Sequence, residues 1–239
     1  MAQLHGDERR RYVALMFTRI AGRYDLMNSV MTLGMHHRWR REVVEQATRG
    51  LEGLALDVAA GTGDLTMALG SQNGVVRAIG VDLLAVMLQR AKKKARWRSE
   101  EQVRFVVGDA LHLPFPDDTF ACAATAFGLR NMPDIQAALR EMVRVVRPGG
   151  TVVTLEIVPL DPKRTLAPFL RAYFRYFIPW LGAFIAGDRE AYTYLPASVD
   201  RFPPPDRLVG MMEEAGLASV SYKLTGMRMI AIHHGTKLI

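Results

Sequence analysis

The residues best suited to chemistry lie in DVAAGTGD, positions 57 to 64, where an apolar run passes straight into a glycine turn. Gly61 and Gly63 let backbone approach a ligand with no side chain in between. A helix opening near Asp64 would aim its free N–H groups at that ligand. Two carboxylates stand at matching places. Asp82 closes the next apolar run, where it can accept hydrogen bonds from ribose hydroxyls. Asp109 closes the run after that, in VVGDALHLPF, suitably placed for an adenine amino group. A dinucleotide turn needs a third glycine for close packing of helix on strand, and here that position is Thr66. Strand-end aspartates also serve as helix caps, so it is the convergence of three strand ends that points to a nucleoside-bearing cofactor. Asp57 and Asp64 stay open between ligand contacts and hydrogen bonds within the loop.

Such a constellation requires a parallel sheet whose strand ends meet at one edge. Apolar runs at LALDVA (54–59), VVRAIGVD (75–82), VRFVV (103–107), FACAATAF (120–127) and TVVTLEIV (151–158) read as five core strands. DLTMALG, LAVMLQRAKKKARW and DIQAALREMVRVV carry helical spacing between them, and RPGG stops the last. A helix at about 205–215 and two closing strands, ASVSYKLTG and MRMIAIHHG, predict an antiparallel hairpin at one edge. The expected fold is therefore α/β, doubly wound, with a mostly parallel seven-stranded Rossmann-like sheet. Residues 1–50 read as N-terminal helices able to form part of a lid. Residues 159–203 break the alternation with prolines, arginines and Phe169, Tyr173, Phe174, Tyr176, Phe177, Trp180 and Phe184. They form a helical insertion after strand five.

The chain's 239 residues, 49% of them hydrophobic, suit one domain over 1–239 with these additions. Its single cysteine, Cys122, cannot form an internal disulfide and lies in an apolar strand, as a small core residue would. MAQLHGDERRR lacks the apolar core of a signal peptide, and no uncharged apolar run reaches spanning length. These features predict a cytoplasmic protein. A formal charge of +7 is compatible with an anionic neighbour or simply with a solvated basic surface.

DVAAGTGD, Asp82, GDALHLPFPDDTF and VVRPGGTVV together resemble class I S-adenosylmethionine-dependent methyltransferases. FTRIAGRYDLMNSVMTLGMHHRWRR and FGLRNMPD resemble the two signatures of the ubiquinone/menaquinone biosynthesis C-methyltransferases. LEIVPL, AYTYLPASVDRFP and the C-terminal MMEEAGLASVSYKLTGMRMIAIHHG extend that similarity over nearly the whole chain. The resemblance implies methylation of a ring carbon of a prenylated hydroquinone, such as demethylmenaquinol, with S-adenosylmethionine as donor and no metal. It implies cofactor contacts at Gly61, Thr62, Gly63, Asp82, Asp109 and Ala110. Ala126 stands where many members carry serine, so no hydroxyl contact is expected there.

In that chemistry Arg130 would be the fixed cation beside the acceptor oxygen, since positioning and charge stabilisation dominate such a transfer. Asn131 beside it is a further catalytic candidate; Tyr24, Asp25 and Asn28 of RYDLMN would orient the acceptor or close over it, and His36 is a further titratable candidate. Alternatives are a methoxy-benzoquinol of the ubiquinone pathway as acceptor, a non-catalytic quinone-binding scaffold, and a nucleic-acid methyltransferase. For the last, no appended basic-aromatic module is evident, and a nucleic-acid partner is not expected. The arginine-rich aromatic stretch between 163 and 185 suits either an ordinary helix pair covering the sheet or a lid or interfacial helix in peripheral contact with anionic lipid on the inner face of the cytoplasmic membrane. Self-association is left open.

Overall fold

The computed structural model describes residues 6–160, 169, 172–186 and 188–238. The five apolar runs form strands: β1 (Gly53–Val58), β2 (Val75–Asp82), β3 (Val103–Val107), β4 (Phe120–Ala126) and β5 (Val146–Ile157), with β6 (Leu217–Thr225) and β7 (Ile230–Lys237) following near the end of the sequence. They form one seven-stranded sheet in the order β3-β2-β1-β4-β5-β7-β6. β1 through β5 are mutually parallel, and β7 runs antiparallel to both β5 and β6. The closing hairpin therefore supplies the antiparallel edge that the tail predicts. The strand order reverses beside β1, which pairs with β2 on one side and β4 on the other. Open α/β sheets bind ligands at such a crevice.

Strand periodicity divides the core in two. Ala55 and Asp57 of β1 face one side of the sheet and Leu56 and Val58 the other, as alternate strand residues must. On the first side Ala55 joins Leu65, Leu88, Phe105, Leu155 and Trp39; on the second Leu56 joins Phe120, Leu139, Met142 and Met212. The covering helices are α3 (Met35–Thr48), α4 (Asp64–Gly70) and α5 (Ala85–Trp97) on the first face, and α6 (Ile135–Val145) and α9 (Pro205–Glu214) on the second. RPGG ends α6 as expected, but it already belongs to β5, which starts at Val146.

A third apolar cluster lies apart from the sheet. It is built by α1 (Gly6–Ile20), α2 (Tyr24–Thr32), the helical run α7 and α8 (Arg189–Arg201) around Met16, Ile20, Met27, Ile178, Leu181, Tyr192 and Leu195. α7 consists of a π-turn at Tyr173–Phe177, an α-turn at Ile178–Leu181 and a second π-turn at Gly182–Ala186. The N-terminal segment thus divides: α1 and α2 join this cap, whereas α3 lays Trp39, Val43, Val44 and Ala47 on the sheet. Within the insertion, residues 161–168, 170, 171 and 187 lie outside the described residues. Among the described residues no helix is long and apolar enough to cross a membrane.

Candidate active site

The glycine turn is held by the carboxylates of the first two strands. Asp82 Oδ2 accepts from the Gly61 amide at 2.8 Å and its Oδ1 accepts from the Leu84 amide at 2.8 Å. Burial pushes the Asp82 carboxyl up, against the pull of those two amides. Gly61 sits at φ +55, with nothing within 4 Å of where a Cβ would stand, so its face of the turn is open to a ligand. Gly63 is at φ +81, and a Cβ there would come within 2.8 Å of the Phe105 ring. One glycine clears the cleft, and the other lets α4 settle on the sheet.

Thr66, at the position of a dinucleotide turn's third glycine, donates its hydroxyl to Asp57 Oδ2 at 2.6 Å. Asp57 is completely buried, and desolvation pushes it up to about 7. This buried bond ties the end of β1 to α4, so Asp57 serves the loop. Ala59 and Phe127, just past β1 and β4, both adopt φ of 60°. Left-handed backbone in residues other than glycine carries strain that concentrates at functional sites.

The cleft between these strand ends is lined by Gly61, Asp82, Leu84, Met87, Asp109, Ala110 and Asn131, with Tyr24 at one end. Asp109 Oδ1 accepts from the Leu111 amide at 3.0 Å, and its Oδ2 pairs with Arg10 at 2.8 Å. α1 closes the cleft with Arg10, Val13, Ala14 and Phe17. Nothing local in the sequence marks Arg10 for this place, because its partner Asp109 lies far along the chain. Carboxylates near two strand ends, an open glycine turn and apolar walls from Val81, Met87 and Met132 fit a nucleoside, its hydroxyls and amino group facing carboxylates and its base facing apolar side chains.

Thr62, expected to touch the cofactor, and Asp25, expected to orient the acceptor, are not among the residues lining this cleft and engage each other: the Thr62 hydroxyl donates to Asp25 Oδ1 at 2.5 Å. Lys94 of α5 bridges Asp25 at 2.6 Å and Asp64 at 2.8 Å, and Asp64 also faces Arg40 at 3.5 Å. Against burial, Arg40 and then Lys94 hold Asp64 below the usual carboxylate range. Arg40 also contacts His36, whose other ring nitrogen lies 3.2 Å from the Ser29 hydroxyl. Burial, then Arg40, pushes His36 down to about 4. The RYDLMN helix is thereby fastened to the underside of the glycine turn.

Arg130 lines a smaller chamber adjoining the cleft, together with Tyr24, Asn28, Asn131, Tyr192 and Tyr194. Its Nη1 donates to Glu156 Oε2 at 2.7 Å and to the Phe127 carbonyl at 2.8 Å. Glu156 of LEIVPL is fully buried, and burial pushes it up against the pull of Arg130. The Arg130 guanidinium also stands 5.8 Å from the Phe127 ring centroid. Arg130 Nε is buried with no partner. Asn131 Nδ2 donates to the same Phe127 carbonyl at 3.1 Å, leaving its Oδ1 buried and unpartnered. Glu156 was not singled out by the sequence, where it reads as one polar residue in an apolar strand. Cys122 is buried, and desolvation pushes its thiol up to about 12, as suits a packing residue. Among the described residues no group of three His, Cys, Asp or Glu could hold a metal ion.

Solved structures share this architecture. A possible histamine N-methyltransferase from Thermotoga maritima, described as S-adenosylmethionine-dependent, superposes with a TM-score of 0.62 at 20% identity, covering 94% of this chain and 99% of its own. A putative S-adenosylmethionine-dependent methyltransferase from Methanococcus maripaludis gives 0.63 at 17% identity, covering 92% of each chain. The fold is that of the Rossmann-like S-adenosylmethionine-dependent methyltransferases. Residues 4–237 match the profile of the ubiE/COQ5 methyltransferase family, and the chain belongs to that family. Demethylmenaquinone methyltransferases from Roseiflexus castenholzii and Thermus thermophilus are each 44% identical to it, covering 97% and 93% of this chain and 95% and 100% of their own. A ubiquinone/menaquinone biosynthesis C-methyltransferase from Desulfotalea psychrophila is 41% identical, covering 94% of this chain and 90% of its own.

Proposed function

We propose that this protein methylates a ring carbon of a prenylated hydroquinone, with demethylmenaquinol as its acceptor. The observation that carries the proposal is the junction of the two cavities: Phe17, Tyr24 and Asn131 line both the cofactor cleft and the neighbouring chamber. A donor in one and an acceptor in the other would meet there. Two relatives named demethylmenaquinone methyltransferase favour the naphthoquinol over a benzoquinol.

Gly61, Asp82, Asp109 and Ala110 would hold S-adenosylmethionine, which supplies an electrophilic methyl group when bound. Thr62, Gly63 and Asp25 would act beneath it, keeping the turn in shape. What remains is positioning, worth a large part of such a barrier when the attacking atom is aligned and water excluded. α1 excludes water from above. Arg130, held by Glu156, places a fixed cation in the acceptor chamber, where it would stabilise negative charge growing on a ring oxygen as the ring becomes nucleophilic. Asn131 and Tyr24 would fix the ring at the junction. Arginine holds its proton too tightly to serve as a simple base, so its role is electrostatic.

The acceptor's prenyl chain needs an apolar path. Met16, Ile20, Met31 and Leu195 form the apolar wall of the chamber. Beyond it, α7 exposes Tyr176, Phe177, Trp180 and Phe184, and the α2–α3 turn exposes Leu33. We assign this face to peripheral membrane contact, from which the chain-bearing acceptor would be drawn. Transfer of labelled methyl from S-adenosylmethionine to short-chain demethylmenaquinol tests the proposal, with the corresponding benzoquinol and an RNA as comparison acceptors. Methylated menaquinol is expected as the preferred product. Binding of donor and quinol with no transfer would mark a scaffold and overturn the proposal.

A further inference from the structure

Four buried polar atoms without a hydrogen-bond partner belong to residues that line the acceptor chamber: Arg130 Nε, Asn131 Oδ1 and the hydroxyls of Tyr192 and Tyr194. Each such group left unsatisfied is costly, and folded proteins keep few of them. Others occur on residues such as Gln46 and His233, which do not line this cavity. A cluster of four in one chamber calls for a ligand that satisfies them together.

Two of the four come from α8, whose position is firmly set. Asp188 caps it by accepting from the Ala191 amide at 3.0 Å, and Arg19 of α1 pairs with Asp188 at 2.8 Å. The Tyr192 ring presses on Gly182 of α7, where a Cβ would stand only 2.2 Å from it. Tyr194 packs against Tyr12 with ring centroids 6.0 Å apart. Both tyrosines are more than nine-tenths buried, so neither hydroxyl can swing out to solvent. The set offers a donor on Arg130, an acceptor on Asn131, and two hydroxyls able to do either. That is the complement of a ring carrying two oxygens, each a hydroxyl or its conjugate base.

We infer that the hydroxyls of Tyr192 and Tyr194 orient the acceptor ring, sharing its two oxygens with Arg130 Nε and Asn131 Oδ1. This rests on the proposed function for the identity of the ring. Burial also pushes the Tyr192 phenol well above its usual range, so it stays protonated and can donate. The α8 tyrosines thus set which ring carbon faces the methyl group, a task separate from the charge stabilisation given to Arg130.

Anaerobic calorimetry tests this, with short-chain demethylmenaquinol titrated into wild type, Tyr192→Phe and Tyr194→Phe in the presence of S-adenosylhomocysteine, which blocks turnover. Each variant should bind the quinol about tenfold more weakly, the cost of one buried hydrogen bond. Affinity for S-adenosylhomocysteine should not change. The Tm should stay level or rise, because phenylalanine removes an unsatisfied hydroxyl at the same volume. A structural role for the hydroxyls would instead lower Tm and weaken S-adenosylhomocysteine binding, and that result overturns the inference. So does undiminished quinol affinity in both variants, or a wild type that binds no quinol. If wild type binds the quinol but transfers no methyl group, the proposed function fails while the affinity ratios still decide the role of the tyrosines.

Discussion

Arg130 combines two tasks that one substitution cannot separate. It is proposed to stabilise charge on the acceptor, and it neutralises Glu156, which is fully buried on β5. Arg130→Ala therefore leaves an unpaired buried carboxylate, and a loss of about 3–5 kcal/mol in stability is expected from that alone. Adding Glu156→Gln removes the stranded charge, so the double variant should regain most of the Tm by thermal denaturation. Turnover should stay at least about a hundredfold down in both, the scale of losing a fixed charge-stabilising donor, with S-adenosylhomocysteine affinity nearly unchanged in the double variant. Recovery of turnover along with Tm would show that Arg130 acts only through the fold. Asp57 allows a second residue-scale prediction. Its folded pKa, about 7, lies above its unfolded value of 3.8, so its favourable contribution is fully present at acid pH and is lost as pH rises through 7. Asp57→Asn keeps an oxygen for the Thr66 hydroxyl and never ionises. Thermal denaturation across pH 4 to 8, roughly the interval these values define, should show the variant gaining steadily on wild type as pH rises. A constant difference would mean that the folded carboxyl of Asp57 is not raised above its unfolded value. The sequence placed Thr66 at the missing-glycine position, but its bond to Asp57 depends on the depth to which α4 sinks onto the sheet, a tertiary quantity.

The elements whose patterns are local were legible in the sequence. β2 and β3 match the runs read from their apolar residues, and α4 matches DLTMALG residue for residue, because strand and helix periods are written in neighbouring side chains. Asp82 and Asp109 were legible for the same reason, since strand ends fix where they stand. What the sequence could not display is which helix covers the cleft and which charges meet there. Residues 1–50 read as helices able to form part of a lid, and only the fold brings Arg10 to Asp109 and the Arg9 guanidinium to the Arg130 carbonyl at 2.8 Å. Thr62, Asp25 and Lys94 likewise come from three elements that meet only in space. These contacts make α1 a link between the two cavities. The Arg10–Asp109 pair is partly exposed and contributes at most about 1 kcal/mol, so the part of α1 over the cleft should loosen when the cleft is empty while Met16 and Ile20 stay packed in the third cluster. Bound S-adenosylhomocysteine would add contacts to Val13, Ala14 and Phe17 and shift that equilibrium closed. Hydrogen exchange over residues 6–20 should slow by about tenfold or more on saturation with S-adenosylhomocysteine, whereas exchange in β1 and β4 should change little. Equal exchange with and without ligand would show that α1 does not respond to the cofactor.

At the scale of the whole molecule, a basic protein presents an apolar aromatic face. The formal charge is +7, and Trp180 stacks on Phe184 at 5.9 Å with only 6° between the rings, both largely exposed. Phe177 extends the ladder, 5.9 Å from Trp180. Stacked rings held open to water are costly unless something covers them. The Tyr173 hydroxyl bonds the Met31 carbonyl at 3.1 Å, which couples this helical run to α2 and so to the acceptor chamber. A lipid surface would satisfy both properties, since anionic headgroups attract the net positive charge and the interface takes up the rings. Wild type should therefore bind vesicles containing phosphatidylglycerol at low salt and release as salt rises. Replacing Trp180 and Phe184 together by serine should weaken that binding by about tenfold or more, from the apolar area lost. Neither residue lines the cofactor cleft or the acceptor chamber, so transfer to a short-chain, water-soluble quinol should be retained in the double variant. Transfer to a long-chain quinol embedded in vesicles should fall with vesicle affinity. Equal sedimentation of both proteins with the vesicles would remove the aromatic face from membrane contact, and retained long-chain turnover in the double variant would separate acceptor delivery from that face.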